Sequence, residues 1–362
     1  MIPRSDCAET RNRSPSRQSP RQPTQGLQCD NRPVANERRA QVVHADALAK
    51  SKRVDIRLNA VVVDVALSDN GRANSVDIVK PDGSQRTRLN VRTLVIAAGG
   101  LETTRLMLNM QRKRGALFCG EHGPLGRFYM GHLTGIIADV TFADTPYADL
   151  FDFQYDDRSS SYFRRRFQPS AAAQLKEGVL NTSLWPEGPI SDPRHGSAVL
   201  SMLYLTMAAN QYGRMLLPEV MQRRHGPENP RDIKGHLRNL RLLRARSFLE
   251  AASVLSNRFL TKQPAPGFFV RNKRDSYGLS YHSEHLPHLD SRVTLSRNCD
   301  RLGVNQLRID LRFKADDAES VIKTHDLFAQ WLTRSGLGSL RFRHEGENLV
   351  AAVLNQARHG TL

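Results

Sequence analysis

The stretch Val91–Asn109, VRTLVIAAGGLETTRLMLN, decides how this chain is read. Leu94–Ala98 is a short unbroken apolar run, the pattern of a strand buried on both faces of a mostly parallel sheet. Gly99 and Gly100 let the backbone turn sharply and approach another group closely. From Leu101 to Arg112 the spacing is helical, and Leu101, Leu106, Met107, Leu108 and Met110 supply an apolar face. Glu102 near the start and Arg112, Lys113 and Arg114 near the end complement the helix dipole, and Gly115 is a natural stop. Strand, glycine turn and helix together present free N–H groups to a phosphate or other anion. A glycine pair is a weak motif, and an ordinary strand-to-helix turn of an α/β domain has the same spacing.

Upstream, the sequence predicts an antiparallel meander over Val54–Val91 that packs beside this run. Val54, Ile56 and Leu58 alternate, and Val61, Val63, Val65 and Leu67 alternate after a phase slip at Asn59–Ala60. Asp69-Asn70-Gly71 and Pro81-Asp82-Gly83 are turn signals, with strands at Val76–Val79 and Thr87–Val91. A short helix is expected over Val42–Ser51. Downstream, Gly115–Arg127 reads as a loop and Phe128–Phe142 enters a new sheet. Ala171–Glu177 reads as a helix, and Asn181–Trp185 leads into a loop at Pro186–Pro193. Arg231–Leu260 is the longest amphipathic candidate, an apolar stripe backed by arginines. Phe268–Val270, Tyr277–Tyr281, Arg292–Leu295 and Leu307–Phe313 read as strands, the last two joined by a turn at Asp300–Gly303. Asp316 is the expected cap of a helix over Asp317–Arg334, with Glu319 at the capping-box position and Val321, Leu327, Phe328, Trp331 and Leu332 inward.

The chain of 362 residues is long enough for two domains with a sizeable core. Residues 1–41 are of different composition, with eight arginines, no lysine and five prolines, and few apolar residues. Such a segment cannot bury enough surface to offset its ordering entropy, so it is expected to be a disordered basic tail. Cys7, Cys29, Cys119 and Cys299 form no zinc or redox spacing, which fits a reducing compartment such as the cytoplasm. No secretory signal and no membrane-spanning run is legible. The net charge is +17, but the arginines are scattered rather than gathered on one element, so a nucleic-acid partner is not expected.

In order and content these pieces resemble the interior of a glucose-methanol-choline (GMC) family flavin oxidoreductase. Arg57-Leu58-Asn59-Ala60-Val61-Val62 is similar to the family strand whose valine backbone meets the adenine of FAD. Val95-Ile96-Ala97-Ala98-Gly99-Gly100-Leu101-Glu102-Thr103 is similar to the family's A-A-G-A-x-E-T-P signature, with Gly100 and Thr104 as departures. Leu125-Gly126-Arg127-Phe128-Tyr129-Met130-Gly131-His132 is similar to its L-G-R-x-x-M-x-H loop. Glu284, Pro287 and Ser291–Leu295 are similar to a substrate-domain strand of the family.

The resemblance implies a mixed α/β (α+β) fold. It divides the chain into a partial FAD-binding, Rossmann-like domain over 42–135, a substrate domain of antiparallel sheet and helices over 136–345, and the start of a return into the FAD domain over 346–362. The family's G-x-G-x-x-G turn has no counterpart before Val42, and its catalytic H-x-x-G-T segment is represented only by His359-Gly360-Thr361. The expectation is therefore a chain truncated at both ends relative to the family, one that binds FAD weakly or not at all by itself.

By resemblance, Val62, Ala97, Ala98 and Gly99 face FAD, His359 is the catalytic candidate, and His132, His282 and Glu284 lie on the substrate side. The implied activity is FAD-dependent oxidation of the CH–OH group of an alcohol or sugar-like donor; the sequence does not specify the electron acceptor. A non-catalytic basic binding protein or a gene remnant is the alternative. Tyr281–His288 is the densest histidine cluster, yet Pro287 forbids a continuous helix, and alternation places His282 and Glu284 opposite His285. Three metal ligands do not converge on that spacing, so no metal is expected.

Overall fold

A computed structural model describes residues 27–34, 40–144, 147, 150–158, 161–188, 191–209, 233–241 and 274–360. The fold is mixed α and β, and every strand pair among the described residues is antiparallel.

The chain enters through β1 (Leu27–Val34), which pairs along its whole length with a strand of the large sheet described below. The expectation of disorder through residue 41 therefore fails at Leu27–Val34. That segment lacks the alternation of a half-buried strand, and its place is set by ladder bonds to its neighbour. Residues 1–26 lie outside the described residues. The helix α1 (Ala40–Lys50) follows, exposed from His44 onward.

The expected meander is present as β2 (Val61–Leu67), β3 (Ala73–Val79) and β4 (Thr87–Asn90), joined at the two predicted turns. Val65 and Val76 bury one face against Met110 of α2 (Gly99–Lys113), with Leu94 and Leu106 packed around them. Asp77 is buried and clamped by Arg88 (2.7 Å) and Arg86 (2.9 Å). The Arg88 hydrogen bond, with help from Arg86, holds its carboxyl well below the usual carboxylate range.

Two expectations fail in this unit. Val54–Leu58 forms no strand, and its apolar side chains are exposed. Leu94–Ala98 is not a buried parallel strand. It carries no ladder, and Val95 is 81% exposed. An apolar run becomes a buried strand only when neighbours flank it, and none of the described residues does so.

Among the described residues the large sheet has seven strands. Their order is β1-β7-β8-β9-β5-β12, with β6 on β7. The members are β5 (Leu133–Phe142), β6 (Gln154–Asp156), β7 (Ser161–Pro169), β8 (Thr182–Glu187), β9 (Ser276–Ser283) and β12 (Gly338–Phe342). One face packs on α6 (Ala315–Ser335) and α7 (Gly346–Gly360). Leu133, Ile137, Leu184, Leu279 and Tyr281 meet Val321, Phe328, Leu332 and Val353 there, all fully or almost fully buried. Phe167 stacks at a tilt on Phe328 (ring centroids 4.5 Å) and on Trp331 (5.4 Å).

Between β7 and β8 lies α3 (Ala171–Glu177), and between β8 and β9 lie α4 (Ala198–Ala209) and α5 (Ile233–Leu240). His236 of α5 donates from Nε2 to the Ser191 carbonyl (3.2 Å) and shares a hydrogen bond between Nδ1 and Ser201 Oγ (3.0 Å), and Asn239 donates to Ser201 Oγ (3.1 Å). This buried network pins α5 to α4. Of the expected long helix over Arg231–Leu260 only Ile233–Leu240 is shown, and Phe268–Val270 lies outside the described residues. The hairpin β10 (Arg292–Cys299)–β11 (Asn305–Asp310) turns at Asp300–Gly303, as expected. Arg105 of α2 ties it to the N-terminal unit through Asp300 Oδ2 (2.5 Å) and the Asn305 carbonyl (2.7 Å).

The start of α6 departs from expectation. Its N-cap is Lys314, and the capping carboxylate is Asp317, which accepts from the Lys314 N–H (2.8 Å). Neither Asp316 nor Glu319 takes that role, because Asp317 also accepts from the Leu286 N–H (2.8 Å) and so locks the helix start to the strand-exit segment. Among the described residues no helix is long and apolar enough to cross a membrane.

Candidate functional site

Register across the large sheet brings distant polar residues into one row. Ser183 of β8 pairs with His282 of β9, and His282 pairs with Thr134 of β5. The next row is Trp185, Ser280 and Ile136. Side chains directly across antiparallel strands share a face, and period two separates this face from the one carrying Leu279 and Tyr281. The face away from the helical core is thus floored by three hydroxyls and an imidazole. Arg166 caps its far side, with its guanidinium 4.3 Å from the Trp185 ring centroid.

His132 precedes β5 by one residue and meets His282 edge to face, with ring centroids 4.4 Å apart. The structure therefore joins two of the predicted substrate-side residues. Glu284, two residues beyond His282, is exposed, and its Oε2 accepts from the Asn181 N–H (3.1 Å). It braces the end of β9 against the start of β8, and the Glu284 N–H donates to the Asn181 carbonyl (3.0 Å).

The loop that delivers His132 is held by a residue the sequence did not single out. His285 is buried, and its Nδ1 accepts from the Gly131 N–H (3.2 Å). Its Nε2–H donates to the Arg312 carbonyl (2.8 Å) beside Asp317 Oδ2 (3.6 Å). These two bonds fix a neutral tautomer, the proton on Nε2. Tyr129 N–H to Ser291 O (3.1 Å) and Val293 N–H to Gly126 O (2.7 Å) complete the seam. The sequence signal for His285 was the alternation that set it opposite His282. Its partners come from the loop before β5, from the segment between β11 and α6, and from α6 itself, and one sequence does not reveal them.

Left-handed backbone concentrates in the same loop. Phe118 (φ 53°), Cys119 (φ 66°) and Phe128 (φ 55°) all lie in the region disfavoured for side-chain-bearing residues. Phe128 and Met130 are exposed at the loop surface beside His132. Strain of this kind persists only where surrounding contacts over-determine it, and for Phe128 the seam to Ser291–Val293 supplies those contacts on either side.

The residues assigned to FAD lie apart from this row in sequence and element. Val62 pairs with Ile78 at the open edge of the meander and is 42% exposed. Ala97 and Ala98 precede α2, and Gly99 opens it with φ +78°, a conformation that suits glycine. A Cβ placed at Gly99 or Gly100 would meet nothing within 4 Å. The backbone here is accessible on one side, and among the described residues nothing faces it. The residues present form one wall and do not fit the whole of a dinucleotide flavin. His359 lies in the last turn of α7, one turn beyond Gln356, whose side chain bonds the Ile136 N–H (3.0 Å) and carbonyl (3.1 Å). Its backbone is helical, and its side chain lies outside the described residues. Among the described residues no group of His, Cys, Asp and Glu is gathered closely enough to hold a metal ion.

The chain matches no protein-family model and no curated protein.

Proposed function

We propose that the chain carries the substrate side of an FAD-dependent oxidoreductase acting on the CH–OH group of an alcohol or sugar-like donor, and only part of the cofactor side. The observation that carries this reading is the row Ser183–His282–Thr134 with His132 set edge to face on His282. Hydroxyl groups both donate and accept, and a polyhydroxylated molecule needs such partners in a fixed array. An imidazole is the side chain best suited to receive a hydroxyl proton near neutral pH. His282 and His132 are the groups positioned to hold that proton, and His285 and Asp317 orient the loop that brings His132 there. On this reading the residues described here bind and orient the donor, and the redox chemistry belongs to the cofactor side that the chain carries only in part. Because those residues form one wall for the cofactor, the isolated chain is expected to be weakly active or inactive.

The test needs no cofactor. A panel of alcohols and polyols is titrated into the chain while the imidazole C–H signals of His132 and His282 are followed by NMR. The expected result is a joint shift of both signals with a sugar-like member of the panel, abolished by Ser183→Val. Shifts confined to other histidines, or none with any member, contradict the reading.

A further inference from the structure

We infer that Leu94–Ala98 is a docking edge, along which a second polypeptide adds an extended apolar segment bearing an acidic flank. Among the described residues, Leu94, Val95 and Ile96 make no backbone hydrogen bond. The ladder of β4 ends just upstream, with the Val91 N–H donating to the Asn74 carbonyl (2.8 Å), and the ladder of α2 begins just downstream. Unpaired N–H and C=O groups within an apolar run are the template for strand addition. The run is seated on one side only. Leu94 packs into the cluster of Val65, Val76 and Met110, while Val95 and Ala97 face solvent. Alternating seated and open residues is the form of an edge strand.

Charge selects the occupant. From Arg86 to Gly100 the chain has three arginines and no carboxylate. Arg86 and Arg88 clamp Asp77 yet keep 61% and 64% of their side chains exposed, and Arg92 is exposed as well. The next carboxylate, Glu102, is already met by Arg105 (3.3 Å). The rim on the N-terminal side of the run is therefore basic. A second copy of a chain with net charge +17 would bring the same arginines against it. Residues 1–26 of this chain are arginine-rich and contain no apolar run to lay alongside. An apolar strand flanked by Asp or Glu satisfies the backbone, the exposed side chains and the charge together. The inference holds whether or not the chain binds flavin, and it is tested without flavin.

The full chain is mixed with two synthetic peptides that share a valine- and isoleucine-rich centre, one flanked by glutamates and one by lysines. Binding is read by fluorescence anisotropy, and the amides of Leu94–Ala97 by hydrogen exchange. Those amides are expected to exchange rapidly in the free chain and to slow with the glutamate-flanked peptide. That peptide should bind about tenfold more tightly than the lysine-flanked one at low salt, with the gap closing as salt is added. Val95→Glu, at an exposed position, should remove the slowing, whereas Val95→Thr should keep it. Arg92→Glu should reverse the preference between the peptides, which keeps the test decisive if Val95→Glu disturbs the fold. No slowing with either peptide overturns the inference, as does equal binding of the two. Slow exchange in the free chain accompanied by a dimer in sedimentation also overturns it, by assigning the edge to a second copy.

Discussion

His325 and Tyr281 share the buried core and carry unequal liabilities. Their rings meet edge to face with centroids 5.6 Å apart. His325 Nδ1–H donates to the Val321 carbonyl (2.8 Å), and Nε2 has no partner among the described residues. Burial pushes the His325 pKa down from 6.5 to about 4. The native state thus binds fewer protons than the unfolded state between those values. Stability is full above about pH 6.5 and is lost as pH falls toward 4, by on the order of 3 kcal/mol. Urea unfolding at pH 7 and pH 4.5 checks this, and His325→Leu is expected to flatten the difference. The Tyr281 hydroxyl is also buried without a partner among the described residues, and burial raises its pKa. Tyr281→Phe is expected to be neutral or to stabilise by about 1 kcal/mol, since no hydrogen bond is lost. A loss of stability in thermal unfolding would show that the hydroxyl is bonded after all.

At the scale of elements, the loop ending at His132 depends on one glycine and one histidine. A Cβ at Gly126 would lie 2.1 Å from the Val293 carbonyl oxygen, and its φ is +71°. Backbone cannot move aside as a flexible side chain can, so Gly126→Ala is expected to cost about 2 kcal/mol or more and to break the seam. His285→Ala leaves the Gly131 N–H without its acceptor and Asp317 beside a cavity. The expected result is faster hydrogen exchange over Tyr129–Gly131 and loss of the polyol response of His132, with the fold retained. Unchanged exchange there would remove His285 from its positioning role.

Much at this scale was legible in the sequence. The meander, α2, α3 and α6 each follow from periodicity and turn residues within one segment. The parallel strand at Leu94–Ala98 failed because an apolar run reports the capacity for burial, while a strand needs flanking neighbours. Strand β1 was missed for the converse reason: its pairing with β7 supplies order that its own side-chain pattern does not announce. Asp317 displaced Glu319 as the capping group through its bond to Leu286, a partner invisible to local spacing. The row Ser183–His282–Thr134 depends on the register of three strands far apart in sequence. His282 and His132 could be nominated individually, but their meeting could not.

Over the whole molecule, order is unevenly distributed. The large sheet buries one face under α6 and α7 and carries the polar row on the other, where Ser183 and Ser280 are themselves buried. The N-terminal unit leaves Val54, Ile56, Leu58 and Val62 exposed, and Val95 within the unpaired apolar run. Exposed apolar surface of this kind marks an interaction site or a tendency to associate. On the proposed reading the substrate side is built while the flavin side is a single open wall. That reading is tested most directly by titrating the purified full chain with FAD and following absorbance in the flavin bands after removal of free cofactor. The account expects no stoichiometric complex to survive that removal, because exposed backbone at Ala97–Gly99 meets no opposing surface among the described residues. A stoichiometric yellow complex that an alcohol then bleaches would contradict it.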